Sequence, residues 1–205
     1  MIFSERFEPP VSAGGFFVRG AVRFGGPADY LYNERYSDNG LRERGKQDMR
    51  IIRYEEKYRD QIIELILHIQ NEEAKIHLSI EEQPDLLDIP ACYDRNGGGF
   101  WIAVEDDTVL GTFAFMNYGH GNAVLKKFFV RSDWRGKKLG LALYQTVMEY
   151  LKTHGYRQAL LDTPSVARVS HRFYESMGFR RIAKEELPFP YEYPDRDSYL
   201  YLLKL

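Results

Sequence analysis

The sequence predicts an α/β chain of the mixed α+β kind: a mostly antiparallel sheet with one central parallel strand pair and helices on its flanks. Three observations predict it. Asp106-Asp107 stands between two β-rich runs, 100–105 and 108–117, as the turn of a hairpin. The run LKKFFVRSDWRGKKLGLA, residues 125–142, passes from an apolar strand through a basic, glycine-bearing turn into an amphipathic helix. Gln158–Asp162 is a short apolar strand joined to the preceding strand through that helix, which makes the two parallel.

Taken in order, residues 1–48 carry Pro9-Pro10, Gly14-Gly15, Gly25-Gly26 and many Arg and aromatic residues, with no sustained period. They read as an N-terminal extension, disordered or loosely docked, with a functional arm as the alternative, and residues 49–205 as the folded domain. Arg50–Tyr54 is a short strand. A helix over 57–71 follows, with Ile62, Ile63, Leu65, Ile66 and Ile69 as its buried stripe. A second helix is expected over Ile80–Leu87, with Ser79 as N-cap and Glu82 completing a capping box. Pro90 and the cluster 96–99 interrupt regular structure, and Gly111 in the hairpin marks a bulge or a close backbone approach.

Gly119-His120-Gly121-Asn122 turns the chain into a third antiparallel strand, Ala123–Val130. Beyond the basic loop, Leu139, Leu143, Val147 and Leu151 recur at helical spacing, and the helix should stop at His154-Gly155. A further helix over 165–177 ends at Gly178. Strands over 179–184 and 198–204 complete the sheet on either side of the aromatic and acidic loop PFPYEYPDRD.

A chain of 205 residues with 44% hydrophobic content can enclose one sizeable core. Its net charge of −2 argues against a nucleic-acid surface. Cys92 is the single cysteine, so neither an intrachain disulfide nor a multi-thiolate metal site is available. The five histidines never occur in the close pairs of a zinc-binding helix, so no metal is expected. No apolar run approaches the ~20 residues of a membrane span, and the amino terminus MIFSERFEPP lacks the basic start and apolar core of a signal peptide. A cytoplasmic setting is the expectation.

The basic loop has the makings of an anion site. The first N–H groups of a helix lack intrahelical acceptors and carry the positive end of its dipole, so a phosphate there meets donors and favourable charge together. Arg135, Lys137 and Lys138 add charge to the same turn; the plainer alternative is a solvated turn. No Gly-Lys-Ser/Thr follows, which removes a P-loop.

Arg135, Lys138, Gly140 and Ala142 after the FFVRSDW strand exit, followed by Phe173-Tyr174-Glu175 and Gly178-Phe179, resemble the two motifs of the GNAT superfamily of acyl-CoA-dependent N-acyltransferases. The resemblance covers 49–205. It implies a GNAT-like fold, acetyl-CoA as co-substrate, backbone groups of Phe129, Val130 and Arg131 binding the pantetheine arm, and Arg135, Gly136, Lys137, Lys138, Leu139 and Gly140 cradling the pyrophosphate. A strand edge can pair with an amide-rich arm as with another strand. Two positions depart from the pattern. Lys138 stands where glycine is usual, so this residue is expected to avoid positive φ. Ala167 and Ser170 stand where Asn and Ala are usual, removing an amide that commonly touches the cofactor.

Attack by an amine expels a thiolate, and Tyr174 is the candidate proton donor to it, its plainer reading being a buried core aromatic. Glu72, Glu73, Glu81 and Asp162 are the candidate bases, Val124 standing where some relatives carry glutamate. His120 and His171 read as turn and helix-surface residues. Residues 191–197 offer aromatic walls and carboxylates to an acceptor, or form a solvated connection. The expected activity is N-acetyl transfer from acetyl-CoA to a primary amine of a small molecule, peptide or protein, by direct attack in a ternary complex. The alternative is a catalytically silent acyl-CoA-binding sensor. No nucleic-acid or membrane partner is expected, and a homodimer is admissible.

Overall fold

A computed structural model describes residues 48–193 and 197–205. The N-terminal extension, residues 1–47, lies outside the described residues, as does part of the aromatic loop, 194–196. Within them one sheet runs in the order β1-β2-β3-β4-β5-β7-β6. Its strands are β1 (Arg50–Arg53), β2 (Gly99–Glu105), β3 (Thr108–Asn117), β4 (Asn122–Val130), β5 (Gln158–Pro164), β6 (Arg180–Ile182) and β7 (Ser198–Lys204). All neighbours are antiparallel except β4 and β5. The helices are α1 (Arg59–His68), α2 (Leu139–Thr153) and α3 (Arg168–Ser176).

Alternation along the strands separates two buried faces. Trp101, Ala103, Leu125, Leu161 and Tyr201 pack with Leu143 and Val147 of α2 and Phe173 and Tyr174 of α3. Phe100, Ile102, Ala114 and Phe129 turn the other way, against Ile62, Ile66 and Ile69. On that second face Val124, Leu160 and Leu200 are covered by Tyr191 of the β6–β7 loop, with Phe189 and Tyr193 beside it.

The hairpin turn is as read, with Asp106 at φ 48° and Asp107 at φ 56°, the left-handed pair that suits the twist of the strands. Gly111 meets both expectations. The β2–β3 register slips beside it, and a Cβ there would stand 2.9 Å from the Phe129 carbonyl and 3.1 Å from Leu143. α2 ends at Thr153, His154 caps it, and Gly155 follows at φ 78°.

Some boundaries differ. The Ile80–Leu87 helix is absent: only a 3-10 turn over Pro84–Leu86 forms. Glu82 does bond the Ser79 amide at 2.9 Å, but Pro84 has no N–H for the helix and drives Gln83 out of the α region, to φ −129° and ψ 59°. α3 begins at Arg168 because β5 continues to Pro164. The predicted helix over 57–71 is a 3-10 turn, α1, and a wider π turn over Ile69–Glu73.

Candidate active site

The parallel pair that holds the sheet together also opens it. β4 and β5 are in register only from Asn122–Val124 against Gln158–Leu160. From there β4 runs on to Val130 and β5 to Pro164, with no further pairing between them among the described residues. One backbone edge of β4 is thereby left facing a gap, and that edge leads straight into the basic loop. Phe129 and Val130 are buried at its end, and Arg131 is fixed by a bidentate contact to Asp133 at 2.7 and 2.9 Å.

The loop is a 3-10 turn over Ser132–Trp134 followed by two left-handed residues, Gly136 at φ 73° and Lys138 at φ 63°. Lys138 therefore does not avoid positive φ. The reversal into α2 needs a left-handed residue immediately before the first helical turn, and lysine takes that strain. The first α2 bond runs from the Ala142 amide to the Lys138 carbonyl at 3.0 Å, so the amides of Leu139, Gly140 and Leu141 precede the ladder. Nothing lies within 4 Å of a Cβ built on Gly136, while Lys137 reaches back over the Trp134 ring at 5.0 Å. Backbone donors, open space and two exposed ammonium groups fit a diphosphate.

Arg135 is placed differently from its neighbours. Its side chain is only 5% exposed, Nε donates to the Val130 carbonyl at 2.9 Å, and Nη1 pairs with Glu73 Oε2 at 2.5 Å. The guanidinium braces the loop against the π turn that follows α1, and the Arg135 amide donates to the Ser132 carbonyl at 3.3 Å.

Tyr174 lies on the inner side of α3, fully buried among Phe173, Phe179 and Tyr201. Burial raises its phenol well above the ordinary tyrosine value, and the charge of Asp162 and then Tyr144 push the same way. The Asp162 charge is thus felt at Tyr174, although its side chain bonds Lys126 and Tyr191 of the opposite face.

That opposite face carries a polar assembly that sequence reasoning missed. The β3–β4 register slips between Thr112 and Ala114, and Lys127 takes φ 50°, its carbonyl accepting from the Thr112 hydroxyl at 2.7 Å. The bulge lets two consecutive side chains, Lys126 and Lys127, point to one face. Lys126 donates to Asp162 at 3.1 Å and to the Tyr191 hydroxyl, which itself donates to Asp162. Lys127 donates to Gln83 at 2.8 Å and pairs with Asp85 at 3.3 Å. Gln83 exchanges two amide bonds with Gln70, and Tyr93 donates to Asp85 at 2.5 Å. Burial pushes the Lys127 ammonium below the usual lysine value, with Asp85 opposing. The signal was present as a Lys-Lys pair inside an otherwise apolar strand.

Of the other carboxylates considered, Glu73 is tied to Arg135, Glu72 is exposed and pairs with Lys75 at 3.6 Å, and Glu81 is exposed. His171 bonds the Pro164 carbonyl at 2.9 Å, and His120 occupies its turn at φ 52°. Among the described residues no group of three or more His, Cys, Asp or Glu is placed to hold a metal ion, and no helix is long and apolar enough to cross a membrane.

The chain is similar to several acetyltransferases. Over 104 residues it is 36% identical to N-acetylaspartate synthetase of Danio rerio, covering 50% of this chain and 37% of that protein. Over 107 residues it is 30% identical to a probable N-acetyltransferase, camello, of Xenopus tropicalis, covering 51% and 49%. The matched stretch thus spans less than half the length of either curated relative. A crystal structure of an acetyltransferase from Streptococcus agalactiae is 38% identical and superposes with a TM-score of 0.75, covering 78% of this chain and 99% of that one. The PaiA N-acetyltransferase of Thermoplasma acidophilum, solved with coenzyme A, shares the fold at a TM-score of 0.60 and 16% identity, over 78% of this chain and all of that one. The family model described as "Acetyltransferase (GNAT) family" matches residues 63–179, from α1 through both motifs to Phe179, and the chain belongs to that family.

Proposed function

We propose that this chain transfers the acetyl group of acetyl-CoA to a primary amine, by direct attack within a ternary complex. The parting of β4 from β5 carries the reading, because it leaves a strand edge leading to a loop of helix-start amides, as an amide-rich arm ending in a diphosphate requires. The thioester supplies the activated acyl carbon. Phe129, Val130 and Arg131 line the arm at the end of β4, the Arg131 N–H being already bonded to the Leu110 carbonyl and its carbonyl to the Trp134 N–H, and the turn from Arg135 to Gly140 holds the diphosphate, Leu139 and Gly140 through their amides.

The amine nitrogen forms the new C–N bond as the C–S bond breaks, and two protons must move. Asp162, on the stretch of β5 that has parted from β4, receives the proton of the amine. Tyr174 gives its proton to the departing sulfur, its raised pKa keeping it protonated at neutral pH. A small-molecule acceptor is favoured by the relatives named N-acetylaspartate synthetase.

A second reading, a silent acyl-CoA sensor, draws on the full burial of Tyr174 and on Ala167 at the start of α3. Calorimetry with acetyl-CoA and thiol release in the presence of an amine panel separate the two. Binding with turnover is expected; binding without turnover establishes the sensor, and absence of binding at millimolar acetyl-CoA removes both.

A further inference from the structure

The β4 bulge sets two ammonium groups next to each other on the face that carries Tyr191 and the 83–85 turn, and a carboxylate lies against one of them. An ammonium has three N–H donors. Lys126 gives its protons to Asp162 and the Tyr191 hydroxyl, and Lys127 to Gln83 and Asp85, so each keeps one after its partners among the described residues. Asp162 receives both Lys126 and Tyr191 on Oδ1, which leaves Oδ2 with no bond among the described residues. Neither lysine is sealed: their side chains are 23% and 12% exposed, and that of Asp162 is 17% exposed.

Spare ammonium donors therefore stand beside a spare carboxylate oxygen, with Lys126 and Asp162 only 3.1 Å apart. A ligand matching that pattern has a carboxylate and an amine on adjacent atoms. Polyamines, lysine side chains and peptide N-termini have the amine without a carboxylate next to it, and would leave the spare N–H donors of Lys126 and Lys127 without an anionic acceptor.

We propose that the acceptor is a free α-amino acid, its carboxylate held by Lys126 and Lys127 and its amine by Asp162. This rests on the acetyl-transfer reading for the chemistry, though not for the binding. The site reads the zwitterion, and the aromatic wall of Tyr118, Phe189 and Tyr193 beside it bounds the side chain.

The test compares free amino acids with their own α-carboxamides on the full chain, by calorimetry with saturating CoA and by thiol release from acetyl-CoA. A hydrogen bond to a charged group contributes about 1.5–3 kcal/mol, so at least one free acid should bind roughly 10–100-fold more tightly than its amide. The amide's amine is the less basic of the two, so slower turnover of the amide cannot come from its protonation. Lys126→Met and Lys127→Met should each bring the acid-to-amide ratio toward one with CoA affinity kept. Should the more buried Lys127 variant fail to fold, Lys126→Met carries the test. Equal binding of acid and amide, or a ratio that survives both substitutions, overturns the proposal. Failure of acetyl transfer shows separately, as an acid-selective binding site with no thiol released for any amine.

Discussion

Arg135 Nη1 lies 2.5 Å from Glu73 Oε2, so the loop at the head of α2 is fastened to the π turn at the end of α1, 62 residues earlier in the chain (135 − 73). The guanidinium is nearly fully buried and the carboxylate about one-fifth exposed. Removing one partner of such a pair leaves a charge with poor solvation, which costs more than the pair itself contributes. Glu73→Gln should destabilise the fold by about 1–3 kcal/mol, less than a fully buried pair because water reaches Glu73. It should also weaken CoA binding several-fold, through a loop that has lost its brace. Urea denaturation and calorimetry on the same variant check both, and an unchanged CoA affinity would make the brace purely structural.

Tyr174→Phe should keep CoA affinity and lower the single-turnover rate by about 10²–10⁴-fold, the usual contribution of a positioned proton donor. The active form of the phenol is the protonated one. Because burial, then Asp162 and Tyr144, raise its pKa above the ordinary 10.0, protonation persists to higher pH than in a free phenol. The wild-type rate should therefore climb as the acceptor amine deprotonates and stay level through about pH 10. A fall that begins clearly below that pH removes Tyr174 as the donor.

Much of this was legible beforehand because it rests on local chemistry. Asp106-Asp107 specifies its own hairpin turn, Gly155 its own helix stop, and the run from Leu125 to Ala142 its own passage from strand through an exposed turn into a helix. What could not be read depends on contacts distant in sequence. Nothing near Arg135 says that its side chain will turn inward to Glu73 rather than outward to a phosphate. Nothing near Lys126 says that a bulge opposite Phe113 will bring it and Lys127 to one face. The missing Ile80–Leu87 helix is different in kind, since Pro84 was in view and outweighs a capping box.

Thr163 is fully buried on β5 next to Asp162, and its hydroxyl has no hydrogen-bond partner among the described residues. A buried polar group left unpaired costs about 1–3 kcal/mol, and valine replaces the hydroxyl with a methyl of nearly the same shape. Valine also suits a strand. Thr163→Val should raise stability by about 1 kcal/mol, read as a higher urea midpoint at an unchanged slope. Destabilisation would mean that the hydroxyl is bonded in solution.

Lys138 holds φ 63° where a glycine would be unstrained. Left-handed backbone costs a residue with a Cβ about 1–2 kcal/mol, whereas glycine gives back about 0.4–1 kcal/mol through the greater freedom of the unfolded chain. The two nearly cancel, so Lys138→Gly should leave stability within about 1 kcal/mol of the parent. If the lysine is kept for its charge at the diphosphate, the same substitution weakens CoA several-fold and flattens the salt dependence of binding, because one cation has left the loop. Dephosphorylated pantetheine has no diphosphate and should bind both proteins alike. A variant that binds CoA as well as the parent at low salt would show that Lys138 contributes only the shape of the turn.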